Sequence, residues 1–128
     1  MPRVILLIDD DTDEFEMLTE ALYSIDKSIK CIHAGNLTEA LEFLKTSSPD
    51  CIFIDFNMPK TNGLECLAEL KKSGRINSSR VILYSNHIDE EMSQRALALG
   101  AHYCLQKPAM INVLLKRLKD ILKIDQAF

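Results

Sequence analysis

The chain has 128 residues, enough for one domain (1–128) with no room for a second. Hydrophobic residues make up 47% and charged residues 27%, which excludes a disordered chain and predicts an ordinary packed core. The net charge of −4 argues against a nucleic-acid-binding protein, which would need a clustered basic face.

The first predicted element is a strand over residues 4–8, an apolar run that continues directly into acidic residues. It is too short for a signal peptide or a membrane span. The four cysteines have no spacing typical of a disulfide frame or a zinc site. We therefore expect a protein of the reducing cytoplasm, with no membrane partner.

Four more apolar runs predict strands over 29–33, 51–54, 81–84 and 103–106. The stretches between and after the strands repeat apolar residues every three or four positions, as helices do, over 15–25, 37–44, 64–70, 89–99 and 111–122. Two pairs have capping-box spacing at helix starts, Asp11 with Glu14 and Asn36 with Glu39. Gly74 and Gly100 are expected to end the third and fourth helices.

Strands that alternate with helices predict an α/β fold with a parallel sheet covered on both faces. Runs 4–8, 51–54 and 81–84 are apolar on both faces, as central strands are, whereas 29–33 and 103–106 are mixed, as edge strands are. The strand order is therefore the flavodoxin-like 2-1-3-4-5 with five helices. Ligands should bind beyond the carboxyl ends of strands one and three.

Polar residues follow four of the five predicted strands at that edge: Asp9, Asp10 and Asp11, then Asp55, Ser85 and Lys107. Asp11 is assigned to helix capping. The remaining carboxylates would repel one another unless a cation joined them, and all-oxygen ligands with water suit Mg²⁺. A carboxylate beside such a metal can attack a phosphoryl group and form an aspartyl-phosphate.

The segments "ILLIDDD", "IFIDFNMP", "ILYS" and "QKP" resemble the receiver domain of two-component response regulators, over residues 4–124. The resemblance implies that Asp55 is the phosphoacceptor, and that Asp10 binds Mg²⁺ directly while Asp9 supports it through water. It also implies that the Asn57 backbone carbonyl completes the metal shell. Ser85 and Lys107 would contact the phosphoryl group, and the Lys107–Pro108 peptide would be cis.

Three positions depart from the family pattern. Cys104 stands where a Tyr or Phe usually acts as a rotating switch, and Tyr103 lies on the opposite face of the strand. Asn86 replaces a small residue after Ser85, and Ala109 replaces a common aromatic residue after Lys-Pro. The phosphorylation site therefore matches the family, whereas the surface that reports phosphorylation differs from it.

The resemblance implies a stand-alone receiver, a monomer or weak dimer, that takes a phosphoryl group from a histidine kinase or histidine phosphotransfer protein and signals to an unidentified partner. It would catalyse its own phosphorylation and dephosphorylation. The alternative is a pseudo-receiver, an interaction module that does not depend on phosphorylation. A haloacid dehalogenase-type phosphatase would need Thr or Val where Asp13 stands. A flavin-binding flavodoxin is disfavoured because the acidic first turn would repel phosphate.

Overall fold

The computed structural model describes residues 3–58 and 60–126, so Pro59 of the quoted motif lies outside the described residues. Five strands alternate with five helices, as expected. The strands are β1 (Val4–Ile8), β2 (Lys30–Ala34), β3 (Cys51–Asp55), β4 (Arg80–Ser85) and β5 (Tyr103–Gln106). The helices are α1 (Thr12–Ile25), α2 (Leu37–Leu44), α3 (Gly63–Ser73), α4 (Glu90–Ala98) and α5 (Ile111–Gln126).

The sheet is parallel throughout and has the predicted order β2-β1-β3-β4-β5. Strands β3 and β4 each extend one residue beyond the predicted run, so that Asp55 and Ser85 are their last residues. Both extensions are paired, Asp55 opposite Tyr84 and Ser85 opposite Gln106. Asp55 and Ser85 are therefore held by sheet pairing rather than by free loops.

The core has two apolar layers, one on each face of the sheet. Helices α2, α3 and α4 cover one layer, which includes Leu6, Ile54 and Leu83. Helices α1 and α5 cover the other, which includes Leu7 and Phe53. Each fully buried side chain of this size stabilises the fold by about 1.5–3 kcal/mol, so two layers give the strand ends a rigid base.

The helix caps differ in detail from the predicted capping boxes. Asn36 accepts from the Glu39 backbone N–H as expected, but the Glu39 carboxylate accepts from the Gly35 backbone N–H and the Asn36 side-chain amide rather than from the Asn36 backbone N–H. Asp11 caps α1 through the Asp13 backbone N–H. The capping-box prediction for Glu14 is wrong, because its carboxylate turns towards Lys107.

Gly63 begins α3 against the end of β3. A Cβ atom at this position would lie 2.8 Å from the Phe56 Cα, 2.9 Å from a Leu83 methyl and 3.0 Å from the Asp55 carbonyl oxygen. Such distances would force the backbone apart, so only glycine lets α3 start this close to Asp55. The Gly63 N–H donates to the Phe56 carbonyl at 2.9 Å, which closes the loop after β3.

No helix among the described residues is long and apolar enough to cross a membrane. They also contain no cis peptide bond, so the expectation of a cis Lys107–Pro108 bond is wrong. The trans form is the more stable one for X–Pro bonds, and from this backbone the Lys107 ammonium already reaches Asp55.

Candidate functional site

A cleft of about 210 Å³ opens at the carboxyl edge of the central strands. It brings together most of the residues that the sequence predicted for a site. Its walls are formed by Asp9, Asp10, Asp11, Glu14, Asp55, Asn57, Asn86 and Lys107. Five of these eight residues carry carboxylates and one carries an ammonium group, so the cleft is strongly acidic.

Asp9 is the most deeply buried of the acids, with 1% of its surface exposed. Its backbone N–H donates to the Ala34 carbonyl, and its Oδ1 accepts from the Asp11 N–H at 2.9 Å. Its Oδ2 accepts no hydrogen bond among the described residues. Burial, and to a smaller extent the nearby Asp55 carboxylate, raises the pKa of Asp9 to about 6.

Asp55 lies at the end of β3 with 7% of its side chain exposed. Burial raises the pKa of Asp55, and the Lys107 ammonium and the Asn57 backbone N–H oppose this rise. Asp10 is exposed at the rim of the cleft and contributes a further negative charge. Asp55 is thus a buried carboxylate that a ligand can reach from the cleft.

Lys107 supplies the positive charge of the cleft from the residue after β5. Its backbone N–H donates to the Ser85 carbonyl at 2.7 Å, which ties the ends of β4 and β5 together. Its Nζ lies 3.2 Å from Asp55 Oδ1 and 3.9 Å from Asp9 Oδ2, and 4.9 Å from the centre of the Tyr84 ring. The long Lys107 side chain therefore reaches past the end of β4 and places one cation between two buried acids.

Ser85 is the one predicted site residue that does not line the cleft. It is 0% exposed, and its Oγ accepts a long 3.4 Å hydrogen bond from the His87 N–H. The exposed Asn86 lines the cleft in its place. The Ser85 hydroxyl is therefore not on the wall of the cleft that Asp55 borders.

The acids fit a divalent cation. One carboxylate oxygen from each of Asp9, Asp10 and Asp55 lies within 4.8 Å of the others. Asp9 Oδ2 is a buried charged oxygen without a hydrogen bond, an arrangement that is costly unless a cation is bound. An all-oxygen donor set beside an open cleft suits Mg²⁺, because Mg²⁺ keeps several waters when it binds.

Two residues at the site were not predicted from the sequence to belong to it. His33 on β2 stacks on Phe15, with ring centroids 4.7 Å apart, and its Nε2 lies 2.6 Å from the Asp9 carbonyl oxygen. Glu14 lines the cleft, 3.4 Å from Lys107 Nζ. Neither could be recognised from strand ends, because both depend on how β2 and α1 pack beside β1.

Cys104 stands at the position of the family's rotating aromatic residue, and it lies on the face of β5 that the alternation of side chains along the strand predicts. Cys104 packs against the layer under α2, α3 and α4, whereas Tyr103 packs against the layer under α1 and α5. Tyr103 therefore cannot take the place of an aromatic residue at position 104. Ala109 is exposed at the start of the segment that leads to α5.

Comparison with known proteins identifies the family. The response regulator receiver domain model matches residues 5–119. The protein-glutamate methylesterase/protein-glutamine glutaminase of Agrobacterium fabrum is 34% identical over 81% of this chain and 30% of its own length. The response regulator MprA of Mycobacterium avium is 30% identical over 93% of this chain and 50% of its own length. The chain thus spans half or less of the length of these two relatives.

A solved structure agrees with this assignment. The phosphorylated cyanobacterial phytochrome response regulator RcpA superimposes with a TM-score of 0.82, at 26% identity, over 94% of this chain and 91% of its own. Residues 5–119, which the family model matches, include the carboxyl end of every strand that contributes to the acidic cleft. The chain therefore belongs to the response regulator receiver domains of two-component signal transduction.

Proposed function

We propose that Asp55 accepts a phosphoryl group from a histidine kinase or a histidine phosphotransfer protein in the cytoplasm, with Mg²⁺ as cofactor. The observation that carries this proposal is the cleft itself. It holds a buried carboxylate with an ammonium 3.2 Å away and two more carboxylates within 4.8 Å, open to an approaching donor. The phosphorylated domain would then signal to a partner that the chain alone does not identify.

The chain's own residues can perform the transfer. An Asp55 carboxylate oxygen attacks phosphorus, an O–P bond forms, and the P–N bond of the donor phosphohistidine breaks, so the imidazole leaves with the bonding electron pair. Lys107 is placed to bind an oxygen of the phosphoryl group, because its Nζ already contacts Asp55. Ser85 would complete the contacts once the loop after β4 moves inward.

Asp9, Asp10, Asp55 and the Asn57 carbonyl are the proposed metal ligands, with Asp9 acting through water. When bound, Mg²⁺ would neutralise the negative charge that collects on the transferring oxygens. Asp9 Oδ2 supports this assignment, because it is buried and accepts no hydrogen bond, and its nearest cation, Lys107 Nζ, is 3.9 Å away. Asn57 borders the same cleft from the loop after β3.

The test is intact-protein mass spectrometry after treatment with acetyl phosphate and Mg²⁺. The wild-type chain should gain one phosphoryl group, and Asp55→Asn should gain none. Asp50→Asn is a matched control, because Asp50 is an exposed acid just before β3 and outside the cleft. Labelling that survives Asp55→Asn would place the phosphoacceptor elsewhere. A wild-type chain that neither binds Mg²⁺ nor is labelled would favour the phosphorylation-independent interaction module.

A further inference from the structure

Glu14 occupies an unexpected position in the cleft. It lies in the first turn of α1, where Asp11 already caps the helix through the Asp13 N–H. The Glu14 side chain is 26% exposed, and its Oε2 lies 3.4 Å from Lys107 Nζ. Glu14 thus lines the cleft in addition to the three carboxylates that can share a metal ion.

Lys107 divides its charge between carboxylates. Its Nζ is 3.2 Å from Asp55 Oδ1 and 3.4 Å from Glu14 Oε2, two nearly equal distances. With 9% of its side chain exposed, Lys107 is poorly screened by water, so both attractions are stronger than at an open surface. Any group on Asp55 that needs this ammonium must compete with Glu14 for it.

We propose that Glu14 is a positioning residue that holds Lys107 partly away from Asp55 and so weakens the hold of the site on a phosphoryl group. This inference rests on the proposed function. The same negative charge has the opposite effect on a cation in the cleft, because it offsets the repulsion that Lys107 exerts on the cation. Glu14 therefore favours Mg²⁺ binding and disfavours the phosphorylated state.

The predicted pattern is two affinity changes of opposite sign, which a general loss of structure would not produce. Glu14→Gln keeps the size of the side chain and removes its charge. We expect it to weaken Mg²⁺ binding and to tighten binding of beryllofluoride, a phosphoryl mimic, each by about three- to tenfold, between the effects of exposed and of buried ion pairs. Asp13→Asn is the matched control, because Asp13 is the adjacent acid in the sequence but does not line the cleft.

Mg²⁺ affinity is measured by calorimetry. Beryllofluoride affinity is then measured at saturating Mg²⁺ by amide NMR, since the chain has no tryptophan to report binding. Asp13→Asn should change both constants less than twofold. Shifts of the same sign for the two ligands in Glu14→Gln, or equal shifts in the two variants, would overturn the inference.

A second pair of variants tests whether Glu14 acts through Lys107. In a Lys107→Ala background, Glu14→Gln should change the beryllofluoride affinity less than twofold. A full effect in that background would show that Glu14 acts as a simple charge, and the positioning role would be wrong. A wild-type chain that binds no beryllofluoride would instead remove the proposed function, so the two failures are distinguishable.

Discussion

The buried carboxylate of Asp9 should lower the free energy of unfolding of the metal-free protein, relative to a variant with a neutral side chain at this position. Its pKa rises from 3.8 to about 6, and each pKa unit corresponds to about 1.4 kcal/mol. Keeping Asp9 ionised in the folded state above that pKa therefore costs at most about 3 kcal/mol. Because the side chain borders an open cleft, where water reduces the cost of the charge, we expect keeping Asp9 ionised to cost about 1–2 kcal/mol.

Asp9→Asn removes that cost and keeps the acceptor for the Asp11 N–H. Folded Asp9 binds its proton more tightly than the unfolded chain does, so the cost is present in full above about pH 6 and disappears as the pH falls towards about 4. Without metal, the variant should be more stable than wild type by about 1–2 kcal/mol near pH 8. The gain should shrink near pH 5.

Urea denaturation in the presence of a chelator measures this difference at both pH values. Glu16→Gln is the control, because it removes the same charge from an exposed position of α1 and should show no comparable pH-dependent gain. Added Mg²⁺ should stabilise wild type more than Asp9→Asn, since the metal compensates the charge that the variant lacks. A gain that is absent near pH 8, or equal at both pH values, would refute the reasoning.

Two further predictions concern the metal and the switch. Asp10→Ala should weaken Mg²⁺ binding in calorimetry more than Asp9→Ala does, because Asp10 is the proposed direct ligand; equal losses would contradict this division of roles. Phosphorylation adds a charge of about −1.5 to −2 at Asp55, which should draw in the loop after β4. Because Cys104 is too small to transmit that movement as an aromatic ring does, amide hydrogen exchange with beryllofluoride should change clearly in 85–90 and only modestly in 103–118. Equal changes in both segments would show that Cys104 is no impediment.

Much of the fold was predictable because its signals are local. Apolar runs of four or five residues predicted the strands. Runs that are apolar on both faces are the central strands, and runs with polar residues are the edge strands, as predicted. Gly74 and Gly100 have φ angles of 70° and 106°, as expected for residues that end helices. The prediction of β3 was one residue short at its carboxyl end and that of β4 one residue short at each end, because sheet pairing extends the strands into polar residues that show no apolar signal.

The acidic cleft was predictable for a different reason. In a parallel sheet all strands end at one edge, so a residue's place just after a strand fixes its approximate location. Asp9, Asp10, Asp55 and Lys107 meet there as the topology requires. Chain order and strand type thus determined which residues would assemble.

Only the tertiary structure decided how these groups share their contacts. Glu14 had the spacing of a capping box, yet in the folded chain its carboxylate lies 3.4 Å from Lys107 Nζ. Ser85 lies at the carboxyl end of β4 with Asp55 and Asp9 nearby in the sheet order, but it is buried and does not line the cleft. Distances of 3–4 Å between charges depend on side-chain direction and on which helix lies over which strand. The local pattern of a sequence carries neither, so the sequence predicted most of the residues that meet at this edge, whereas their pairing required the fold.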